Sequence, residues 1–291
     1  MTEFKQQNLA GSRFEELSLK EAAFHQVDLG GARFDDVNLG GVEIRNVNLK
    51  GAHLDDVNLS GLRIENANLT GATIRGAAVV DVSIDGEIRN LRVWGVDVVP
   101  LIDAELNRRY PDRVKMSPTD AAGYREALDI LERLWTETVD RARALPPELL
   151  YERVDGEWSF IETQRHLVFA TDAWVRRAVL GDPAPWDALD LPHDEMHDVP
   201  SVPRDRDVRP SLDEVLALRA DRMATVRAVF DELTDERLTQ LTEPVLEPGY
   251  PASKSYLVAE CLGCILSEEW EHRMYAERDL AVLRETVGGS S

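Results

Sequence analysis

Glu268 and His272 lie one helical turn apart in the segment Cys261-Leu-Gly-Cys-Ile-Leu-Ser-Glu-Glu-Trp-Glu-His272-Arg-Met-Tyr275. Helical spacing places Leu257, Cys261, Cys264, Glu268, His272 and Tyr275 on one face, so a carboxylate and an imidazole interrupt an otherwise apolar or small stripe. A carboxylate turned inward must be paired, protonated or bound to a metal, because leaving it alone costs several kcal/mol. An earlier segment offers His166 on one face with Phe169, Ala170 and Ala173. Together His166, Glu268 and His272 make a His₂Glu set, the composition of catalytic zinc sites that leave a fourth position for water or substrate. The same residues also read as a buried His–Glu ion pair, and His166 alone as a satisfied core histidine.

The chemistry expected of such a set is a bound divalent cation that lowers the pKa of water or a thiol, giving a nucleophile near neutral pH. Glu268 and Tyr275 are then the candidate catalytic residues, with Tyr275 supplying a proton or merely packing. Glu269 and Glu271 point elsewhere on the helix and are expected to be solvated, with orientation of a ligand as the alternative. His193 and His197, spaced HxxxH in an acidic connection, are expected in an exposed loop; a lid or a second metal pair is the other reading. Cys261 and Cys264 form a CxxC well inside a helix rather than at its N-terminus, where the dipole would activate a thiol, so they read as small core residues, with Cys264, four residues before Glu268, bordering the metal as the other reading.

Four helical stretches must position these groups. The first runs from about Ala121 to Ala144 with Leu128, Leu131, Leu134 and Trp135 inward, and stops at Pro146-Pro147. The second opens with the capping box Ser159-Phe-Ile-Glu162 and continues to about Leu180; the third opens with Ser211-Leu-Asp-Glu214 and runs to about Glu232. The last spans about Ser253 to Arg284. One proline-rich, acidic crossover, 181–210, separates the second from the third, which suggests an antiparallel or crossed four-helix bundle.

Trp-Ser-x-x-Glu-Thr-x-x-His166 on the second helix and Glu-Glu-Trp-Glu-His272-x-x-Tyr-Ala-x-Arg-Asp-Leu280 on the last resemble the DinB-like superfamily of four-helix metalloproteins, over about residues 110–285. Many members use three histidines; Glu268 stands at one of those positions. That departure resembles the branch containing mycothiol-dependent maleylpyruvate isomerase, whose ligands are also His, Glu and His. The resemblance implies His166, Glu268 and His272 as ligands of Zn²⁺, with Ni²⁺, Fe²⁺ or Mn²⁺ as alternatives. It also implies a low-molecular-weight thiol as cosubstrate and S-transfer or isomerisation of a small electrophile. A second reading is a non-catalytic protein that binds metal or a small ligand, as a sensor or resistance protein.

The first third of the chain obeys a different rule. An apolar residue recurs every five positions from Phe4 through Leu9, Phe14 and so on to Ile84, seventeen times, usually with a small or apolar residue two positions earlier. Neither helix nor ordinary strand has this period, which marks a solenoid whose units bury their faces by stacking. A ten-residue overlay places Asp28, Asn38, Asn48, Asn58 and Asn68 before alternate central residues and Gly31, Gly41, Gly51, Gly61 and Gly71 after them. The register resembles the pentapeptide-repeat family, which implies a right-handed quadrilateral β-helix with four pentapeptides per coil. Residues 88–101 are expected to form a closing coil, and a short helix around Ile102–Arg109 a cap. The chain is therefore expected to be multidomain: a β-helix over 1–99, a capping helix and linker over 100–120, and an all-α bundle over 121–285.

The formal net charge of −21 is unevenly spread: residues 1–95 hold 14 Asp/Glu against 10 Lys/Arg, a net of −4, leaving −17 to the remainder. No basic patch stands out, which argues against nucleic acid or an anionic membrane as partner. Some pentapeptide-repeat relatives mimic DNA and engage topoisomerases, but a net of −4 is a weak surface for that role. A scaffold for docking or homodimerisation is the simpler expectation. Two cysteines three residues apart exclude a disulfide framework, and neither a leader nor a membrane-length apolar run is visible, so a cytoplasmic protein acting on a small molecule is expected.

Overall fold

The structure, a computed structural model, describes residues 8–13, 24–25, 28–31, 33–35, 44–45, 49–55, 58–62, 64, 67–84, 86, 88–194 and 196–288. The chain divides into two compact units, Met1–Ala78 and Val79–Ser291.

Among the described residues of the first unit, four short strands pair in parallel. β1 (Phe24–His25) pairs with β3 (Ile44–Arg45), and β2 (Arg33–Asp35) with β4 (His53–Asp55). Both ladders join residues twenty positions apart, Phe24 to Ile44 and Arg33 to His53. The ten-residue overlay is visible as turn chemistry. Side chains of Asp28, Asn58 and Asn68 accept from backbone N–H groups two residues on, at 2.8, 2.9 and 2.9 Å. At Leu59-Ser-Gly61-Leu62 the Leu62 N–H returns to the Leu59 carbonyl (3.0 Å), and Gly61 takes the positive φ of 73° that this turn demands.

Of the seventeen register positions, Phe4, Phe14, Leu19 and Leu39 lie outside the described residues, as do Asn38, Asn48 and Gly41 of the overlay. Among the others whose burial is described, Leu29 is half-buried and the rest are exposed, from 38 % at Leu54 and Leu59 to 79 % at Ile74. Their expected inward placement is not met. Among the described residues the parallel ladders end at Asp55, and a repeat covers its apolar side chain only against a stacked neighbour.

In the second unit, the stretch expected to form a closing coil contains an antiparallel hairpin instead. β5 (Arg92–Val93) pairs with β6 (Val96–Asp97) across Trp94-Gly95, whose φ values of 53° and 79° are those of a two-residue hairpin turn. α1 (Val99–Arg109) follows, beginning three residues before the expected cap because Pro100 suits a first helical turn.

Three long helices and one composite helix then form the bundle. α2 (Ala121–Arg143) is capped by Asp120, whose side chain accepts from the Gly123 N–H at 2.7 Å, and buries Leu128, Leu131, Leu134 and Trp135. α3 (Phe160–Thr171) carries the full Ser159–Glu162 capping box, then continues as a π-helix over Asp172–Val179. α4 (Leu212–Asp231) carries the Ser211–Glu214 box; α5 (Asp235–Leu238) is a single turn; α6 spans Val258–Gly288. α3 packs on α4 and α6, and α2 on α6 and α4. α6 starts about five residues later than its sequence suggests. Backbone at 256–258 is already spent on 240–242: the Thr242 N–H donates to Tyr256 O (2.8 Å) and the Val258 N–H to Gln240 O (3.0 Å). Among the described residues no helix is long and apolar enough to cross a membrane.

Candidate metal centre

His166 is placed by the second turn of α3, and Glu268 and His272 by one face of α6. The capping box fixes where α3 begins. Ser159 N–H donates to Glu162 Oε2 (2.9 Å), Glu162 N–H donates to Ser159 Oγ (3.3 Å), and Arg153 Nε grips the same carboxylate at 3.0 Å. Burial opposes ionisation of Glu162, but Arg153 and Ser159 outweigh it and hold the carboxyl below its usual range.

The ligand atoms of His166, Glu268 and His272 all lie within 4.8 Å of one another. Glu268 Oε2 is 3.3 Å from His166 Nε2 and 3.1 Å from His272 Nε2. His166 is buried, while the Glu268 and His272 side chains keep 29 % and 20 % exposure, so the group is open on one side. Burial again works against the charged form of Glu268, and the two histidines more than offset it, leaving the carboxyl well below the ordinary range.

The decisive detail is on the far side of the ring. His166 Nδ1 is 2.9 Å from the Leu191 carbonyl oxygen. A carbonyl only accepts, so Nδ1 carries a hydrogen and Nε2 is the ring nitrogen turned toward Glu268. Two lone-pair donors facing each other require a cation between them, either a proton or a metal. Donors bound at about 2.0–2.2 Å to one tetrahedral ion stand roughly 3.4 Å apart, close to the spacings on Glu268 Oε2. The donor set and its spacing therefore fit a divalent cation held by two imidazoles and one carboxylate. A backbone carbonyl behind one imidazole is the usual outer support of such a ligand.

Trp158 completes the wall, and sequence reasoning missed it. Its ring lies parallel to His272 (6° between planes, centroids 5.9 Å apart) and 4.6 Å from His166. The available signal was its position, immediately before the Ser159 cap, which aims it along the start of α3. Tyr275 is half-buried, edge-on to His272 at 6.0 Å, with Arg278 over its ring at 5.4 Å.

Glu269 is not solvated as expected but fully buried, in a bidentate pair with Arg219 of α4 at 2.6 and 2.7 Å. Gln164 Oε1 accepts from Arg219 Nε at 3.3 Å, and the guanidinium stacks over Trp135 at 5.6 Å. Each of α2, α3, α4 and α6 thus contributes one side chain to this cluster. Glu271 is exposed. His193 is half-buried edge-on to Tyr250 at 5.4 Å, whereas His197 is exposed. Cys261 is buried and Cys264 half-buried; burial pushes their thiols up to about 11 and about 12, so neither is a thiolate at neutral pH. A cavity of about 420 Å³, lined by Val179, Val229, Glu232, Arg237 and Gln240 among others, shares no residue with the centre.

The fold and the cluster define an all-α bundle that carries three metal-ligand-type side chains between two of its helices. Residues 130–276, half of the chain, match the family model of the DinB superfamily, and the chain belongs to that superfamily. Residues 2–36 and 32–71 match pentapeptide repeats, eight copies in all. No curated protein and no solved structure matches the chain.

Proposed function

We propose that the bundle is a metal-dependent enzyme, a thiol-dependent S-transferase or isomerase acting on a small electrophile. The observation that carries this reading is the Nδ1–H of His166 on the Leu191 carbonyl, which turns Nε2 onto the oxygen that also meets His272. His166, Glu268 and His272 would hold the ion, with Zn²⁺ the best match to two nitrogens and one carboxylate oxygen. When bound, the ion supplies Lewis acidity that makes a thiol or water nucleophilic near neutral pH.

The chain's own residues divide the remaining work. Trp158 shields one side of the imidazoles and fixes the plane of His272 by stacking. Glu268, ionised and partly open to solvent, contributes negative charge and a second carboxylate oxygen able to receive a proton. Tyr275, whose ring stands edge-on to His272, would supply a proton in this reading. The repeats, in this reading, form a four-sided β-helix over 1–99 used for docking or homodimerisation. The twenty-residue spacing of both parallel ladders supports one coil per four pentapeptides. Residues 100–120 form the cap and linker and 121–285 the catalytic bundle, in a protein of the cytoplasm.

Metal analysis of untagged protein beside Glu268→Ala tests the centre: one divalent ion per wild-type chain and none in the variant is expected. Wild type with no stoichiometric metal overturns it. Low-molecular-weight thiols offered with reactive electrophiles to the metal-loaded protein test turnover; binding without product would leave a sequestering protein instead.

A further inference from the structure

Consecutive residues of α3 grip the same stretch of the long connection. His166 Nδ1–H donates to Leu191 O at 2.9 Å, and Arg165 Nε donates to Leu189 O at 2.9 Å. The other arms of Arg165 reach a second pass of the connection, Asp205 O at 2.6 Å and Val208 O at 3.4 Å. The side chain is fully buried, and its hydrogen-bonding partners are backbone carbonyls.

A buried guanidinium is costly to desolvate, and the return here is geometric: three donors in one rigid plane fix three carbonyls against the helix. The stretch they fix has few other freedoms. Leu189 N–H donates to Asp187 Oδ1 (2.9 Å), Asp190 N–H to Asp187 O (3.0 Å), and Leu191 precedes Pro192, which confines its backbone to extended conformations. Two residues beyond the Leu189 carbonyl held by Arg165, and within this restricted stretch, the Leu191 carbonyl stands 2.9 Å from His166 Nδ1.

We propose that Arg165 is a positioning residue of the metal centre. By holding the Leu189, Asp205 and Val208 carbonyls, it aims the Leu191 carbonyl that keeps His166 in its Nδ1–H tautomer with Nε2 toward Glu268 and His272. This rests on the metal-binding reading of those three residues.

Arg177 provides a matched control. It is equally buried and also clamps backbone carbonyls, those of Pro183 (3.0 Å), Val245 (3.4 Å) and Glu247, whereas the carbonyl on His166 Nδ1 is that of Leu191. Zinc affinity of the full chain is measured by competition with a chromophoric chelator for wild type, Arg165→Met, Arg165→Lys and Arg177→Met. Arg165→Met is expected to weaken zinc about 10- to 100-fold and Arg165→Lys less, with Arg177→Met within about twofold of wild type even where it melts earlier. In metal-free protein, imidazole ¹⁵N spectra should give the Nδ1–H tautomer for His166 in wild type and a mixture in Arg165→Met. Unchanged zinc affinity and tautomer in Arg165→Met, or an equal loss of affinity in Arg177→Met, overturns the proposal. If wild type binds no zinc, the zinc reading falls while the tautomer comparison still decides the role of Arg165. If Arg165→Met does not fold, Arg165→Lys carries both readouts.

Discussion

Arg219 closes a two-pronged ion pair with Glu269 in the bundle interior, Nη1 to Oε1 at 2.6 Å and Nη2 to Oε2 at 2.7 Å. One residue earlier on α6, Glu268 faces two imidazoles and solvent. Adjacent carboxylates therefore have opposite duties, because the 100° step between neighbours on a helix sends them to different sides.

That division predicts opposite phenotypes. Glu269→Ala strands a buried guanidinium and should cost about 3–5 kcal/mol of stability, while the folded fraction still binds metal. Glu268→Ala should abolish metal binding with a much smaller effect on the metal-free protein. Urea denaturation read beside metal content separates the two; equal stability losses would contradict the assignment.

Asp190 gives a pH signature. It is fully buried, its Oδ1 has no partner, and burial with the nearby Asp172 charge pushes its pKa up to about 8 from 3.8. The folded protein keeps this proton where the unfolded chain has lost it, so its contribution to stability is greatest below about pH 4. That contribution declines as pH rises to about 8 and then levels off. Asp190→Asn should flatten that part of the profile, measured as denaturation midpoint against pH.

Gly249 packs against the Arg177 guanidinium, where a Cβ would stand 2.6 Å from Cζ. Three carbonyls pin that guanidinium, so it cannot swing aside cheaply. Gly249→Ala should cost about 1–3 kcal/mol, the range for overpacking a tight interior, seen as a lower melting temperature.

In the repeats, a Cβ on Gly61 would meet nothing within 4 Å, so Gly61→Ala isolates the backbone cost of its positive φ. A loss of about 1–2 kcal/mol in the unfolding of the repeat unit is expected. Asn68→Ala, which removes the bond to the Thr70 N–H at 2.9 Å, should cost about 0.5–1.5 kcal/mol in the same measurement.

What sequence alone determined here is what depends on neighbours along the chain. The five-residue period, the aspartate, asparagine and glycine turn positions, both capping boxes and the buried face of α2 are set by local spacing and local hydrogen bonds. His166, Glu268 and His272 were legible for the same reason, since helical periodicity assigns each of them a face. Side chains in the repeats were less legible: Ile64, Ile74 and Ile84 share the period, but their burial depends on what stacks against them. Tertiary structure alone decided the partners supplied from a distance. The 181–210 connection has no period to read, so nothing in its sequence announces that Leu191 orients His166 or that Arg165 secures Leu189. Glu269 likewise looked like one more surface acid until Arg219, fifty residues away, met it in the interior. A side chain's face is a property of its own helix, whereas its charge partner and tautomer belong to whatever the rest of the chain packs against it.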